Sequence, residues 1–336
     1  MSHSNSSLNT FVHCMAKYNH IYNLHSPMCK PPSLHLAFGT MAHDVLYKAG
    51  KLRDEVNDGV VDKDKYYSII PSEVLYGDLK TEFGIDNWYQ YFNSIIKQVS
   101  KYESDLQKEL LETGGGDLRI EREVKLQLTI DMLEQLGIYG VSQPFVGIID
   151  LLMYTDEYAY ILDYKFSSSR KTQDDFDMNS QLPLYAFMVH VLYDIPLHNI
   201  KYGYIDIPKQ SFGTPIILSN GTISRAKSQN VSQEMYEKAV LAIHGDDPKY
   251  NCEPGGYYYD CWCAMALNKA AYLSMQWLDI EVVENVTDDL FNTARMIDNM
   301  QKLKMPYLRK YDAYSCKGCE YLEACKPHLT VGGNNE

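Results

Sequence analysis

Apolar and polar positions alternate in a way that predicts a β-hairpin near the middle of the chain. Two apolar runs rich in β-branched and aromatic residues, Phe145–Tyr154 and Tyr158–Tyr164, flank a polar Thr-Asp-Glu turn, which is typical of a buried antiparallel pair. The patterns of Glu121–Thr129 and Lys201–Pro208 predict two further strands. Helical spacing of apolar residues predicts helices over Phe11–Leu24, from about Leu36, and over Asp86–Glu112, Phe176–Tyr193, Gln233–Ile243 and Asp288–Leu303.

Each run of the predicted hairpin carries one acidic residue in an apolar setting. Asp150 lies in the first run and Asp163 near the end of the second, and a carboxylate among Ile and Leu side chains is costly to bury unless its charge is compensated. Lys165 lies two residues beyond Asp163, so both side chains leave the same face of an extended strand. A surface ion pair is the ordinary explanation of an isolated Asp-x-Lys. The apolar flanks and Asp150 favour a divalent-cation site for phosphodiester hydrolysis instead, with the lysine orienting or helping to deprotonate the attacking water.

A polar pair lies on the helix that is predicted to follow the hairpin. Gln181 and Tyr185 are four residues apart and therefore project from one helical face. Pro183 removes an amide donor and clashes with a preceding helical turn, so the helix is expected to start near Ser180. Asp206 is an additional carboxylate on the predicted strand Lys201–Pro208, and we leave it outside the candidate site because it lies beyond the motif.

Composition limits the class of protein. The 336 residues carry a net charge of −13, which argues against a protein that coats DNA non-specifically, because such binding depends on many lysine and arginine contacts to phosphate. No apolar run reaches the roughly 18 residues that span a bilayer, and the N-terminus lacks a secretory pattern. We therefore expect a soluble, intracellular, cytoplasmic protein without a membrane partner. A local basic groove is compatible with the acidic average, and its candidate contributors are Lys165, Arg170, Lys171, Arg225, Lys227, Arg309 and Lys310.

The eight cysteines suggest metal ligation, because disulfides are rare in a reducing compartment. Cys316, Cys319 and Cys325 form a Cys-x2-Cys-x5-Cys array whose thiols can face one centre. A fourth ligand must then come from elsewhere, and both zinc and an iron–sulfur cluster accept four thiolates. Cys261 and Cys263 have poor spacing for chelation, and we assign them to packing.

Four short motifs occur in order along the chain: Gly39-Thr-Met-Ala-His43, Gly147-Ile-Ile-Asp150, Asp163-Tyr-Lys165, and the pair Gln181 and Tyr185. Together they resemble the RecB-type branch of the PD-(D/E)XK nucleases. The resemblance implies an α/β fold that is restriction-endonuclease-like, with a mixed central sheet flanked by helices. One departure is Ile149, where the family name promises proline.

The resemblance also implies roles for individual residues. Lys165 would position the water and stabilise charge on the phosphate, while Gln181 and Tyr185 would orient Lys165 or the DNA strand. An acidic residue at Glu121 or Glu123, which share a face of the predicted strand, could assist metal binding, although a structural use is favoured. The residues implied to hold Mg²⁺ or Mn²⁺ are His43, Asp150, Asp163 and Tyr164, the last through its backbone carbonyl.

The cysteine array is similar to that of the iron–sulfur branch of the same family, which includes exonucleases of CRISPR adaptation. In that branch one cysteine before the core and three after it hold a [4Fe–4S] cluster. The matching set here is Cys14, Cys316, Cys319 and Cys325, with Cys29 as the competing N-terminal ligand and Zn²⁺ as the alternative metal. The cluster would join helical elements at the two ends of the chain and would have no redox role.

The function implied by the resemblance is a metal-dependent DNA exonuclease. Its expected substrate is single-stranded DNA ends in recombination, repair or replication, with a helicase or recombination protein as a further partner. A structure-specific endonuclease and a DNA-end-binding subunit of a helicase or recombinase assembly are the alternatives. We expect one elaborated nuclease domain over 1–336, with a helical N-terminal part (11–120), a catalytic core (121–208), additional loops and helices (209–313) and a cysteine segment (314–326).

Overall fold

The protein is described here by a computed structural model that covers residues 2–28, 30, 34–55, 68–69, 85, 88–114, 116–167, 171–209, 212–310 and 316–325. Cys29, the competing cluster ligand, and the basic candidate Arg170 lie outside the described residues, as does part of the predicted cysteine segment. Within the described residues, no helix combines the length and apolar character that crossing a bilayer requires.

A five-stranded mixed sheet forms the centre of the fold, with its strands in the order β1-β2-β3-β4-β5. Only the β3–β4 pair is parallel, and the other neighbours run antiparallel. The four predicted strands are present. Strand β5 was not predicted, although Leu273, Met275 and Trp277 alternate with Ser274 and Gln276 along it. The strands are β1 (Arg119–Leu128), β2 (Phe145–Tyr154), β3 (Ala159–Ser167), β4 (Ile200–Pro208) and β5 (Tyr272–Trp277).

Helices cover both faces of the sheet. Helices α1, α7 and α10 share one buried apolar cluster with β1 and β2, and helices α3 and α4 share another with β3 and β4. A third, smaller cluster joins α8 and α9. The α-helices among the described residues are α1 (Asn5–His13), α2 (Met15–Tyr18), α3 (Leu34–Asp54), α4 (Trp88–Gly114), α5 (Ile130–Gln135), α6 (Gln173–Asp177), α7 (Gln181–Tyr193), α8 (Gln233–His244), α9 (Tyr259–Met265), α10 (Ile280–Lys302) and α11 (Leu322–Cys325).

Along β1 and β2, the alternation of side chains between the two faces of the sheet is broken at one point. Their register is the same on both sides of Glu123 and Asp150, but these two opposed residues are not paired. Glu123 has a φ of 50°, outside the extended region of a strand. As a result Ile149 packs in the α7 cluster and Leu151 in the α3 cluster. The prediction that Glu121 and Glu123 share a face assumed unbroken two-residue alternation, and this alternation is interrupted at Glu123.

Three predicted helices differ from the observed ones. The helix expected over Phe11–Leu24 begins earlier, at Asn5, and is interrupted at Cys14, where φ is −160° and ψ is 105°. This break lets the backbone N–H of Ala16 donate to the carbonyl of Leu308. A π-helical turn, Asn19–Asn23, then follows α2.

The helix expected over Phe176–Tyr193 consists of two helices, α6 and α7. Ser180 is the N-cap of α7, as Pro183 predicted, because proline is tolerated in the first turn, where its missing N–H has no partner to lose. The long C-terminal helix begins at Ile280, well before the predicted Asp288.

Candidate active site

Strands β2 and β3 separate where the two acidic residues lie. Their pairing extends only as far as Leu151 and Leu162, so Asp150 and Asp163 would be the next partners in that register. Instead, Asp150 Oδ2 accepts a hydrogen bond of 2.7 Å from the backbone N–H of Tyr164. The carboxylate thus replaces a strand carbonyl, and both acids lie at the mouth of the separation.

The two acids interact electrostatically with Lys165. Asp163 is only 4% exposed, and burial together with the negative charge of Asp150 raises its pKa to about 6. Lys165 Nζ lies 2.6 Å from Asp163 Oδ2, but the contact lacks hydrogen-bond alignment and that oxygen has no other partner among the described residues. Burial disfavours the charge on Lys165, yet the two carboxylates outweigh this and raise its pKa, so the amine is an ammonium at neutral pH.

His43 approaches the acids from α3. Its Nδ1 lies 3.3 Å from Asp150 Oδ1, and its ring packs beside those of Tyr164 and Phe166. Burial opposes a positive charge on the imidazole, but the hydrogen bond to Asp150 and the charges of Asp150 and Asp163 outweigh it and raise the pKa of His43. Asp150 therefore lies between a helix on one side of the sheet and the opening beside Asp163.

Helix α7 contributes the polar pair on the opposite face of the sheet. Gln181 Oε1 accepts a hydrogen bond of 3.3 Å from Lys165 Nζ, and Gln181 Nε2 donates to the Tyr185 hydroxyl at 2.8 Å. Tyr185 lies directly against β2 because Gly147 has no side chain: a Cβ there would meet Tyr185 Cε1 at 2.6 Å. A glycine inside a strand signals a close approach, but this role of Gly147 was not predicted from the sequence.

A buried ionic network contacts β3 on the face of the sheet that carries α3 and α4. The Tyr164 hydroxyl donates to Glu103 Oε1 at 2.9 Å, and Glu103 pairs with Arg122 and Arg53 at 2.7 and 2.6 Å. Burial alone would raise the pKa of Glu103, but the two guanidinium groups hold it below its usual range. Gly50 leaves the space that the Arg122 guanidinium occupies, since a Cβ there would lie 2.4 Å from Arg122 Cζ. Neither Glu103 nor Arg122 was identified from the sequence.

Asp206 lies closer to the site than the sequence analysis assumed. It is the β4 partner of Lys165 in the parallel register and is 2% exposed. Its Oδ2 accepts a hydrogen bond of 3.0 Å from the backbone N–H of Lys171. Asp206 therefore ties the segment after β3 to the neighbouring strand.

The donor set at the mouth of the hairpin suits a hard divalent cation in chemical type. Two carboxylates repel each other there, one oxygen of Asp163 has no hydrogen bond among the described residues, and carboxylate and carbonyl oxygens are the ligands that Mg²⁺ and Mn²⁺ prefer. The raised pKa of His43 opposes binding of a cation to its nitrogen, because a proton competes with the metal for it. In the described ranges, however, no three His, Cys, Asp or Glu side chains are close enough together to hold a metal ion. The donor atoms are therefore of the type that these cations prefer, but they are not spaced to form a complete coordination sphere.

The two ends of the chain meet beside this site. Lys17 pairs with Glu320 at 2.9 Å, and the ring of His20 stacks on that of Tyr321. Of the predicted cluster ligands, Cys14, Cys316 and Cys319 line one cavity. Burial chiefly raises the pKa of Cys325, and the other three cysteines add to the shift through their charges. The structure thus gathers the four cysteines in one neighbourhood without showing a cluster that joins the termini.

The remaining cysteines and several of the basic candidates lie outside the candidate active site. Cys261 is buried and its thiol donates to the carbonyl of Arg225, as packing predicts, but Cys263 is exposed and its assignment to packing was wrong. Arg225 also lies over the ring of Tyr257, and Lys171 pairs with Asp175. These contacts occupy two of the cations that were proposed for a basic groove.

Residues 2–326 match the family model of the PD-(D/E)XK nuclease superfamily. Among solved structures, the chain is similar to a proposed exonuclease from Eubacterium rectale, with a TM-score of 0.45 and 9% identity over 99% of this chain and 94% of that one. It is also similar to the protein SSO0001, with a TM-score of 0.26 and 11% identity over 84% of each chain. No curated protein matches the sequence. The family match spans α1, the whole sheet and the three C-terminal cysteines.

Proposed function

Because the chain belongs to the PD-(D/E)XK nuclease superfamily, we propose that it hydrolyses phosphodiester bonds of DNA with Mg²⁺ or Mn²⁺ as cofactor. The observation that carries the proposal is the pair Asp150 and Asp163 at the separation of β2 and β3, with Lys165 Nζ 2.6 Å from Asp163 Oδ2. Two facing carboxylates favour a cation between them, and the ammonium supplies a fixed positive charge for a phosphate.

A divalent cation held by His43, Asp150, Asp163 and the Tyr164 carbonyl would polarise the phosphodiester and lower the pKa of a water molecule. Lys165 donates to a non-bridging phosphate oxygen and stabilises the negative charge that grows during in-line attack. Gln181 fixes the direction of the ammonium, and Tyr185 in turn fixes the amide of Gln181. The resemblance to the family implies products with a 5′-phosphate. The proposed ligands are His43, Asp150, Asp163 and the carbonyl oxygen of Tyr164.

The finer proposal is an exonuclease that acts on single-stranded ends in recombination, repair or replication, together with a helicase or recombination protein. It rests on the resemblance to the iron–sulfur branch of the family. A structure-specific endonuclease is the alternative activity. A DNA-end-binding subunit without activity is less well supported, because inactive relatives lose an acid or the lysine, whereas Asp150, Asp163 and Lys165 are all present.

The test is degradation of end-labelled DNA by the full chain with Mn²⁺, on linear single strands, linear duplex and closed single-stranded circles. Asp163→Asn and Lys165→Ala should each lower the rate by about a thousandfold, because each removes several kcal/mol of transition-state stabilisation. Asp156→Asn, in the exposed turn of the same hairpin, is the matched control and should retain the parent rate. Cutting of closed circles would select the endonuclease. A parent chain that binds ends but degrades no form of DNA would overturn the nuclease proposal in favour of the binding subunit.

We extend the proposal to the cysteines and assign Cys14, Cys316, Cys319 and Cys325 to a [4Fe–4S] cluster that joins the chain ends, with Zn²⁺ as the alternative. Their common neighbourhood and the spacing of the array support it. Since no three thiols in the described residues are within ligating distance, assembly of the cluster would have to draw them together. Iron, sulfide and zinc analysis of anaerobically purified protein tests this: zinc without iron would select the alternative, and neither metal would exclude both.

A further inference from the structure

Tyr164 connects the candidate active site to the buried ionic network. Its backbone lies between Asp163 and Lys165, and its N–H donates to Asp150 Oδ2 at 2.7 Å. Its side chain leaves the other face of β3 and packs in the apolar cluster of α3 and α4. There its hydroxyl donates to Glu103 Oε1 at 2.9 Å. The position of one peptide unit in the site therefore depends on where the buried ring is held.

Strand pairing alone does not fix this peptide unit. The pairing of β2 with β3 ends at Leu151 and Leu162, so in the described sheet Tyr164 has a strand neighbour only on the side of β4, where it lies opposite Ile205. On the other side its N–H meets the Asp150 carboxylate in place of a strand carbonyl. The N–H and C=O of one residue in a strand point to the same side, so the Tyr164 carbonyl also faces the separation of β2 and β3. Side-chain contacts must hold the peptide where strand pairing is absent.

The buried ionic network is well suited to hold the Tyr164 ring. Glu103 is 2% exposed, and besides the tyrosine hydroxyl it accepts from Arg122 Nη2 at 2.7 Å and from Arg53 Nη2 at 2.6 Å. Arg122 in turn donates to Asp54 Oδ2 at 2.7 Å. Because a buried charge is costly to leave without its partner, the Glu103 carboxylate stays in place. The ring of Tyr164 is thereby fixed at its hydroxyl end.

The same network also anchors the helix that carries His43. Arg53 and Asp54, the last two residues of α3, pair with the buried glutamate of α4 and the arginine of β1. His43 of this helix places Nδ1 3.3 Å from Asp150 Oδ1, while the tyrosine N–H holds Oδ2. Both carboxylate oxygens of Asp150 are therefore contacted by groups that the network holds.

Tyr160 provides an internal comparison, because it makes the same kind of contact away from the site. It lies four residues earlier on the same face of β3, and its hydroxyl donates to Glu109 Oε1 of α4 at 3.1 Å. Here β3 is paired on both sides, with Met153 of β2 and Lys201 of β4. A hydroxyl that only holds α4 against the sheet has the same role at both tyrosines, whereas a role in the site requires the separation that Tyr164 adjoins.

We propose that Tyr164 and Glu103 are positioning residues for the divalent cation of the candidate site. Their hydrogen bond fixes the Tyr164 peptide at the separation of β2 and β3, and this peptide holds the Asp150 carboxylate beside Asp163. The inference rests on the proposed nuclease function and deepens it, because it extends the determinants of cation affinity to a carboxylate of α4 that the sequence motifs do not contain.

The test measures the Kd of Mn²⁺ for the full chain without DNA, by electron paramagnetic resonance of the free ion. Tyr164→Phe removes only the hydroxyl and should raise Kd about tenfold, since groups that orient metal ligands contribute about 10–100-fold to affinity. Tyr160→Phe is the matched control and should keep the parent Kd. Asp163→Asn, which lacks a proposed ligand, measures Mn²⁺ held elsewhere in the chain. Denaturation curves set a temperature at which every variant is folded, so that a change in Kd does not report unfolding.

A second pair of variants changes the acceptor and leaves the tyrosine intact. Glu103→Asp keeps the negative charge beside the two arginines but draws the carboxylate back from the hydroxyl by one methylene. It should therefore also raise the Kd of Mn²⁺. Glu109→Asp makes the same change opposite Tyr160 and should leave Kd at the parent value.

Kinetics separate this inference from the nuclease proposal. If the chain degrades DNA, Tyr164→Phe should need more Mn²⁺ for half-maximal rate, and saturating Mn²⁺ should restore kcat, because every proposed ligand is still present. Asp163→Asn lacks a ligand and should not recover. A variant that is merely destabilised would not be rescued by Mn²⁺ at a temperature where it is already folded.

The two proposals can fail independently. If the chain binds Mn²⁺ and degrades no DNA, but Tyr164→Phe alone of the two tyrosine variants loses affinity, the nuclease proposal fails and the positioning proposal stands. If the chain degrades DNA and both tyrosine variants bind Mn²⁺ as the parent does, the positioning proposal is overturned and the nuclease proposal stands. A parent chain that binds no Mn²⁺ also overturns the positioning proposal.

Discussion

The hairpin site and the cysteine segment both use groups that lie close together in sequence, but the fold holds them very differently. At the hairpin, Asp163 is buried, and backbone register, Gln181 and a hydrogen bond to the Asp150 carboxylate fix the positions. At the cysteine segment, the three thiols are partly exposed, and Cys316 makes a hydrogen bond to a backbone carbonyl. The comparison teaches that backbone and side-chain hydrogen bonds can hold acidic groups in place without a metal, whereas partly exposed thiols in a short segment are ordered mainly by a metal if they bind one.

The ion pairs that surround the hairpin site are also more deeply buried than the ion pair beside the cysteine segment. Glu103 and Arg122, behind the hairpin, are both almost fully buried and share several hydrogen bonds. The Lys17–Glu320 pair beside the cysteines is more than a third exposed on both partners, and such pairs contribute about 0–1 kcal/mol. Substitutions should therefore have large effects behind the hairpin and small ones at the cysteines when no metal is bound.

The largest expected effect on stability is that of Glu103→Gln. It removes the buried anion between Arg122 and Arg53 and leaves Asp54 as the remaining carboxylate partner of Arg122. The cost should therefore be about 3 kcal/mol, at the low end of what breaking a buried pair costs. Chemical denaturation of the metal-free chain measures this. Glu112→Gln, at an exposed position of the same helix, is the control and should change the free energy of unfolding by no more than about 0.5 kcal/mol. Equal stability of the two variants would mean that the buried network of Glu103 does not stabilise the fold.

Asp298→Asn tests the hydrogen bonds that hold the N-terminal segment, which precedes α1 and Cys14. Asp298 accepts from His3 Nε2 at 3.0 Å and from the Ser142 backbone N–H at 2.6 Å, so its replacement should cost about 2 kcal/mol at neutral pH. Burial opposes ionisation, but His3 and Ser142 outweigh it and hold the pKa of Asp298 below 3.8.

The sign of the pH dependence follows from that lowered pKa. The folded state then binds the proton more weakly than the unfolded state, so the stabilisation is complete above pH 3.8 and is lost as the pH falls below it. Melting curves should show the parent and Asp298→Asn converging in that acid range, while Asp289→Asn, exposed on the same helix, follows the parent throughout. A constant difference between parent and Asp298→Asn at all pH values would contradict the pairing.

Gly147→Ala should produce an intermediate effect. The new methyl group would meet the Tyr185 ring at 2.6 Å, and such overpacking costs about 1–3 kcal/mol. Because Tyr185 positions Gln181, we also expect a lower kcat. Gly39→Ala is the control: a Cβ there meets nothing within 4 Å, and helix propensity should stabilise it by up to about 1 kcal/mol. A stable and fully active Gly147→Ala variant would show that the contact between Tyr185 and β2 is dispensable.

The smallest effect should come from Cys319→Ser in the metal-free chain. The residue is partly exposed, so the free energy of unfolding should change by no more than about 0.5 kcal/mol. The same small change is expected for the control Cys263→Ser, because Cys263 is exposed. In metal-loaded protein the two variants should diverge, and only Cys319→Ser should lose bound metal. A large loss of stability in the metal-free Cys319→Ser variant would contradict the contrast between the two regions.

Part of this architecture could be predicted from the sequence because its causes are local. The alternation of apolar residues predicts β1 to β4, and the spacing of Asp163 and Lys165 places both on one face of β3. Pro183 locates the start of α7, since its restrictions act on its own turn. The spacing of Gln181 and Tyr185 likewise gives their shared helical face, where the structure shows their hydrogen bond.

Only the tertiary structure decided how these pieces meet. The separation of β2 from β3, the break in alternation at Glu123 and Asp150, and the contact of Gly147 with Tyr185 are absent from any local pattern. Glu103 and Tyr164 lie 61 residues apart, and His3 and Asp298 lie 295 apart. Periodicity records which face of an element is apolar, but the position of a charge depends on which distant element packs against it. For that reason the sequence determined the strands and the chemistry they carry, and long-range packing determined that the acids, the imidazole and the amine share one opening in the sheet.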